Sequence, residues 1–435
     1  MNIAAGLILG ATVGGVIVRQ LRQRGPPVWV VFLAGAFAMV GTRVLPLPQA
    51  ASAISSDLPI LIFLFSLFLF AAALEQAGAL DHLALWVLGR ARRPADVPFV
   101  LFVAIGGLSA FVLNDALVLV GVPLLFSLAR RMRVSAEPLL LTLAFSVTVG
   151  SVPTPLGNPQ NLLVSLGSGL HAPLATFLRF LLLPTVANLL AGGWYLRRVF
   201  GRQIAREAAQ NPAAVVPAVP FFPRGNLLPL VRRSPALVLF PTTILALTTA
   251  DVVADVVGGP AVPLYLLALG GAVATLLASP ARSELFARID WSIVVLFAAL
   301  FVVVAGAVSG GVLSAIEGAV PLPGPGQPFV GLGVIMLTSV GGSQLVSNVP
   351  WVALQIPLLR SAGYGPGTPL AWVALAGGST LAGNLTLLGA ASNLIVVEQA
   401  EKAGVRISLR SFVRVGLPLA AITVGILFVS LLAGL

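Results

Sequence analysis

The chain has 435 residues, of which 58% are hydrophobic and 9% charged, and its mean hydropathy is +1.03. A soluble domain carries about 25% charged residues, so the composition excludes a soluble enzyme or binding module and indicates an integral membrane protein. The net charge of +11 does not point to nucleic acid, because it comes from Arg spread over short segments, the pattern that sets membrane orientation.

Barrel strands alternate in polarity and these apolar runs do not, so an all-α polytopic fold is expected. The absence of Cys removes disulfides, thiol chemistry and Cys-ligated metals. Residues 3–18 form a first apolar run; no basic residue precedes it, so it reads as a retained helix rather than a signal peptide. Arg19, Arg22 and Arg24 follow, then a run at 28–45. Span 57–78 comes next, then a short amphipathic piece at 80–90 that ends in Arg90, Arg92 and Arg93. Residues 97–129 are too long for one helix and carry Leu113-Asn114-Asp115 near the middle. Residues 138–168 contain a run broken by Thr154-Pro155-Leu156-Gly157-Asn158-Pro159-Gln160-Asn161. Span 173–196 precedes a polar segment, 197–234, with seven Arg, and spans 235–257 and 262–278 follow. The scheme then recurs: span 290–313, a long piece 327–359 around Ser347-Asn348-Val349, a broken run 368–400, and a last span 412–434.

The recurrence is residue by residue. Thr154–Val164 and Thr386–Val396 share six of eleven positions at an offset of 232. Asn114 and Asn348 each precede a Pro by nine residues (Pro123, Pro357). Asp57 and Asp290 each open a span, with Gly78 and Gly311 a further 21 residues on. Three such matches in order indicate an internal duplication. If 97–129 and 327–359 are re-entrant hairpins and every other span crosses once, 22 of the 25 basic residues fall on the cytoplasmic side. The N-terminus is then outside, loop 197–234 is cytoplasmic, and the two halves run in opposite directions through an inner or plasma membrane. The expected divisions are scaffold helices 1–56, repeat 1 at 57–196, loop 197–234, scaffold helices 235–289 and repeat 2 at 290–435, with about 10–11 spans in all.

A break in an apolar helix leaves backbone groups without partners, which lipid does not tolerate. Matched breaks in two halves are therefore the place to look for a transporter's site. The candidates are Asn114, Asp115, Thr154, Gly157, Asn158 and Asn161 in the first half. In the second they are Ser347, Asn348, Asn384, Thr386, Gly389, Ser392 and Asn393. Amide side chains bind either ionic sign, and Na⁺ is a candidate at Asn114, Gly157, Asn348 and Gly389. An acid at mid-depth is costly, which gives Asp115 a functional reading as the coupling carboxylate for Na⁺ or H⁺. Asp57 and Asp290 read as helix N-caps. Glu75, Asp251, Asp255 and Glu398 read as solvated or interfacial, with a weak coupling role open for the Asp251 and Asp255 pair. His82 and His171 read as span-end residues, and Arg179 as an interfacial one.

These tips and breaks, with Gln344-Leu345-Val346-Ser347-Asn348-Val349-Pro350 and Asn384-Leu385-Thr386-Leu387-Leu388-Gly389, resemble the ion transporter superfamily over about residues 28–435. That group holds arsenite permeases, sodium/proton antiporters of the NhaD type, and divalent-anion and citrate symporters. The resemblance implies inverted repeats, elevator-type alternating access, a homodimer, and a small inorganic solute coupled to H⁺ or Na⁺ with no other cofactor. The dicarboxylate branch resembles Ser-Asn-Thr at both tips, whereas Leu113-Asn114-Asp115 looks more like the arsenite-permease branch. The expected function is transport of an inorganic anion or an arsenite-like solute; the alternatives are a sodium/proton antiporter or a dicarboxylate symporter. An intramembrane enzyme is disfavoured, since no His-Glu-x-x-His, Ser/His or paired-Asp constellation lies at depth. With no P-loop in the chain, ATP could act only through a separate ATPase subunit.

Overall fold

The computed structural model describes residues 2–22, 25–78, 93–210, 234–259, 262–319 and 322–434. They form α-helices joined by short turns. In the first half these are α1 (Ile3–Arg22), α2 (Val28–Gly41), α3 (Leu47–Ser56), α4 (Leu58–Gln76), α5 (Val97–Ser109), α6 (Asn114–Met132), α7 (Glu137–Gly150), α8 (Pro159–Gly167) and α9 (Pro173–Ala209). In the second they are α10 (Ala236–Val257), α11 (Leu264–Ala278), α12 (Arg282–Ala287), α13 (Trp291–Ser309), α14 (Val312–Ala319), α15 (Pro328–Val346), α16 (Asn348–Ser361), α17 (Pro369–Ala382), α18 (Ala391–Lys402) and α19 (Leu409–Leu432).

The helix order and the pairings match between halves. In the first half α5 packs on α7, and in the second α15 packs on α17. Across the halves, α6 lies on α18 while α16 lies on α8. Around them α2 packs on α13, and its counterpart α11 packs on α4. The core of this arrangement is α7 and α17. Every residue from Pro138 to Gly150 and from Ala371 to Ala382 is buried, as expected for helices apolar on all sides.

Both breaks are eight residues long, at 151–158 and 383–390. The first contains Pro153 and Pro155, which lack the N–H a helix needs and disfavour helical geometry just before them. The second has no Pro but opens with Gly383 and nearly closes with Gly389. Restart is aided by Pro159 at the first position of α8, where a missing N–H costs nothing. The helices around each break approach closely. A Cβ on Gly150 would stand 1.9 Å from the Gly106 carbonyl oxygen, and one on Gly416 would stand 2.1 Å from that of Asn384.

Six of the described helices are long and apolar enough to cross a bilayer: α4, α9, α10, α13, α15 and α19. Six further apolar stretches of 10–17 residues lie in α1, α2, α5, α7, α11 and α17. Some expectations need correction. The polar segment expected to start at 197 is helical up to Ala209, because α9 continues as a 37-residue helix; Arg197 on that extension pairs with Asp96 at 2.8 Å. Residues 211–233, the piece at 80–90, and His82 lie outside the described residues. Asp290 does cap its helix, accepting from Ser292 N–H at 3.1 Å, but the Asp57 side chain makes no capping bond. Asp251 is not solvated. It is 3% exposed and accepts from the Ala175 N–H at 2.7 Å, so it caps α9 from the neighbouring helix α10.

Candidate substrate and ion site

Each tip folds against the break of its own half. In the first half Asn114 begins α6, and its backbone N–H donates to the Gly157 carbonyl at 3.1 Å. Its amide lies 2.6 Å from Ser109 Oγ and 3.1 Å from Ser151 Oγ. With the amide nitrogen turned inward it also donates to the Val147 and Gly157 carbonyls. Asn158 caps α8 by accepting from Asn161 N–H at 2.8 Å, and its own nitrogen donates to Ser151 Oγ at 2.9 Å. Asn161 Nδ2 reaches the carbonyls of Ser151, Val152 and Thr154, each at 3.1 Å. Thr154 Oγ1 donates to the Ala110 carbonyl and accepts from Leu156 N–H. Unwound backbone is thus closed by its own side chains, as a break buried in protein requires.

The second half repeats part of this. Asn393 Nδ2 donates to the Gly383 carbonyl at 2.6 Å and the Thr386 carbonyl at 3.4 Å, the positions that match Ser151 and Thr154. Gln344, next to the tip, donates to the Ala382 carbonyl at 2.8 Å and accepts from Thr386 Oγ1 at 2.7 Å. Gly389 lies where a Cβ would meet the Ala382 carbonyl oxygen at 2.8 Å, and Gly157 where one would meet that of Ser109 at 2.4 Å. Ser392 is buried at the start of α18. Ser347, at the tip, has φ 71° and ψ 164°, a conformation that residues other than glycine adopt only under strain.

The two breaks meet through Thr380, at the end of α17. Its hydroxyl donates to Asn161 Oδ1 at 2.9 Å and accepts from Asn158 Nδ2 at 3.4 Å and Gln160 Nε2 at 3.3 Å. Sequence reasoning missed Ser109, Ser151, Gln160, Gln344 and Thr380. A signal existed for two of them: Ser109 and Ser343 are 234 apart, and Thr148 and Thr380 are 232 apart, the offsets of the duplication itself.

Asp115 is the second residue of α6, where a carboxylate is favoured by the helix dipole. Its carboxylate makes no hydrogen bond or ion pair among the described residues. No Lys or Arg lies in either tip or either break. Cavities of about 430 and 300 Å³ flank the second hairpin. The larger is lined by Thr338, Gly342, Trp351 and Gln355 among others, and the smaller by Asp57, Gly167 and Arg360 among others.

Broken helices whose amides and hydroxyls converge inside an all-helical membrane bundle define a transporter. The chain belongs to the citrate transporter family, whose profile (CitMHS, citrate transporter) matches residues 16–377. It is 28% identical over 410 residues to an uncharacterized transporter of Mycobacterium tuberculosis, covering 91% of each chain. It is 27% identical over 419 residues to the silicon efflux transporter LSI3 of Oryza sativa subsp. japonica, covering 85% of this chain and 84% of that one. Its fold resembles the YdaH transporter of Alcanivorax borkumensis (TM-score 0.53, 16% identity, 93% of this chain and 96% of that one). It also resembles MtrF of Neisseria gonorrhoeae, which belongs to a class of antimetabolite efflux pumps (TM-score 0.57, 16% identity, 88% and 83%). The protein is a multi-pass membrane transporter and not an enzyme.

Proposed function

We propose that the protein is a secondary transporter for a small hydroxylated inorganic solute of the arsenite type, neutral at pH 7, with movement coupled to H⁺ or Na⁺. The observation that carries this reading is the donor set. The tips and breaks offer amides and hydroxyls, and no Lys or Arg lies within them. Citrate carries several negative charges, and taking it out of water to such a centre would leave them unpaired. A neutral hydroxide such as As(OH)₃ instead trades its hydrogen bonds to water for bonds to amides. The silicon efflux relative supports the same class, since silicic acid is also a neutral hydroxide.

The proposed mechanism is alternating access by an elevator movement of two inverted repeats, in a homodimer. The matched helix pairings support the repeats, and the length of one arm of the first hairpin supports re-entry there. α5 has 13 residues, about 20 Å at about 1.5 Å per residue, less than the ~30 Å hydrocarbon core. Asp115 is the proposed coupling carboxylate.

The test is solute flux in proteoliposomes with arsenite, silicic acid, citrate and Na⁺ under imposed pH and sodium gradients. Gradient-stimulated movement of arsenite or silicic acid, without citrate movement, is the expected result. Saturable citrate uptake with no flux of either neutral solute would overturn the proposal.

A further inference from the structure

We infer that the two matched breaks have divided their labour: the second binds the solute, and the first is a closed structural brace. This rests on the transport reading above and goes beyond it by assigning the solute to one half. The halves carry equivalent residues at Asn114 and Asn348, Ser109 and Ser343, and Asn161 and Asn393, yet the fates of their polar atoms differ. In the first half every one has a partner, supplied by Ser151, Thr380 and the carbonyls of Val147, Val152 and Thr154. In the second half Ser343 Oγ, Asn348 Oδ1, Asn393 Oδ1 and both side-chain polar atoms of Asn384 are buried with no hydrogen-bond partner. All four residues are 3% exposed or less.

The sequence explains the difference. The position that matches Ser151, the partner of the Asn114 amide, is Gly383, and the one that matches Asn158, which holds Ser151 and Thr380, is Ala390, so neither that hydroxyl nor the amide that positions it exists in the second half. Asn384 adds an unmatched amide where the first half has Val152. A buried polar atom without a partner is costly, and five such atoms in the tip and break of one half mark a site completed by something that binds.

The chemistry of the unpaired atoms indicates what that is. Asn393 Nδ2 is held by two carbonyls, which leaves its oxygen as the free atom. With the oxygens of Asn348 and Asn384 that makes three carbonyl-type acceptors, beside one hydroxyl and one amide nitrogen. Such a set takes a ligand rich in O–H donors, as a neutral hydroxide is, and repels an acceptor-only carboxylate. The strained Ser347 tip lies in the same half, as expected where backbone strain is held for function.

Arsenite binding to the detergent-purified full chain, by equilibrium dialysis and elemental analysis in sodium-free choline chloride, tests this. Asn348→Ala and Asn384→Ala should each weaken binding about tenfold or more, the loss of one good hydrogen bond. Ser151→Ala and Asn158→Ala should leave affinity within about threefold, below one such bond, and lower the melting temperature instead. Ala390→Asn installs the first half's amide, and should raise the melting temperature while lowering arsenite affinity. Equal losses from the first-half and second-half variants would overturn the division of labour while leaving the transport reading intact. So would second-half effects that appear only when sodium is added, which would assign the centre to the cation. If the wild-type chain binds neither arsenite nor silicic acid, both the inference and the proposed substrate class fall.

Discussion

Replacing Thr380 by Val removes one hydroxyl and almost no volume from the place where the halves meet. That hydroxyl is 0% exposed at residue level, and its 2.9 Å bond to Asn161 Oδ1 crosses from α17 to α8. Its other two bonds, from Asn158 and Gln160, are long at 3.4 and 3.3 Å and contribute less. Leaving the Asn161 oxygen buried and unpaired costs about 1–3 kcal/mol. Hydrogen bonds between membrane helices average about 0.6 kcal/mol and reach about 1.7, so about 1–2 kcal/mol is the expected loss. Thr148 is the matched control. Its hydroxyl donates to Ala144, four residues back in its own helix, at 3.0 Å, and such a bond adds little to a helix that is already formed. Thr148→Val should therefore cost under about 0.5 kcal/mol. Thermal unfolding in detergent, read by intrinsic Trp fluorescence, should place Thr380→Val a few degrees below wild type and Thr148→Val beside it. If the two variants melt together, the brace between the halves is not what the hydrogen bonds imply.

Three other perturbations have definite outcomes. Ser347→Gly should raise the melting temperature, because releasing about 1–3 kcal/mol of strain at φ 71° exceeds the ~0.5–1 kcal/mol entropy cost of a glycine; a lower melting temperature would show the tip is not strained. Gly150→Ala places a Cβ 1.9 Å from the Gly106 carbonyl oxygen and should abolish the folded peak in size-exclusion chromatography. Gly107→Ala, with nothing within 4 Å, should leave it intact. Asp115→Asn should insert normally but lose accumulation driven by a pH or sodium gradient in proteoliposomes; full accumulation would remove Asp115 from the coupling role.

The parts of the fold that were legible in sequence are those governed by local rules. Pro153, Pro155 and Pro159 force the first break, and the constant offset carries it onto residues 383–390 although that stretch has no Pro. Amides and hydroxyls at the breaks were legible because they stand out against apolar helices. What stayed hidden depends on distance in three dimensions. Thr380 reads as one more small residue in a buried helix until α17 is laid against α8. Asp251 reads as a span-end acid until the N-terminus of α9 is brought to it. The extension of α9 to Ala209 was missed because apolarity, the signal for a membrane span, ends before the helix does. Arg197 and its neighbours continue the turn without continuing the hydrophobicity. The asymmetry between the halves was in plain view as Ser151 against Gly383 and Asn158 against Ala390, but it carried meaning only once the hydrogen bonds were known.

The central claim is that two matched halves face opposite ways across the membrane. Ser135 and Gly367 are equivalent positions at the offset of 232, each in the turn before its half's broken helix. The chain has no Cys, so Ser135→Cys and Gly367→Cys can be introduced singly and exposed to a membrane-impermeant maleimide in intact and inside-out vesicles. The account predicts that Gly367→Cys labels only from outside and Ser135→Cys only from the cytoplasmic side. Labelling of both from the same side would contradict it.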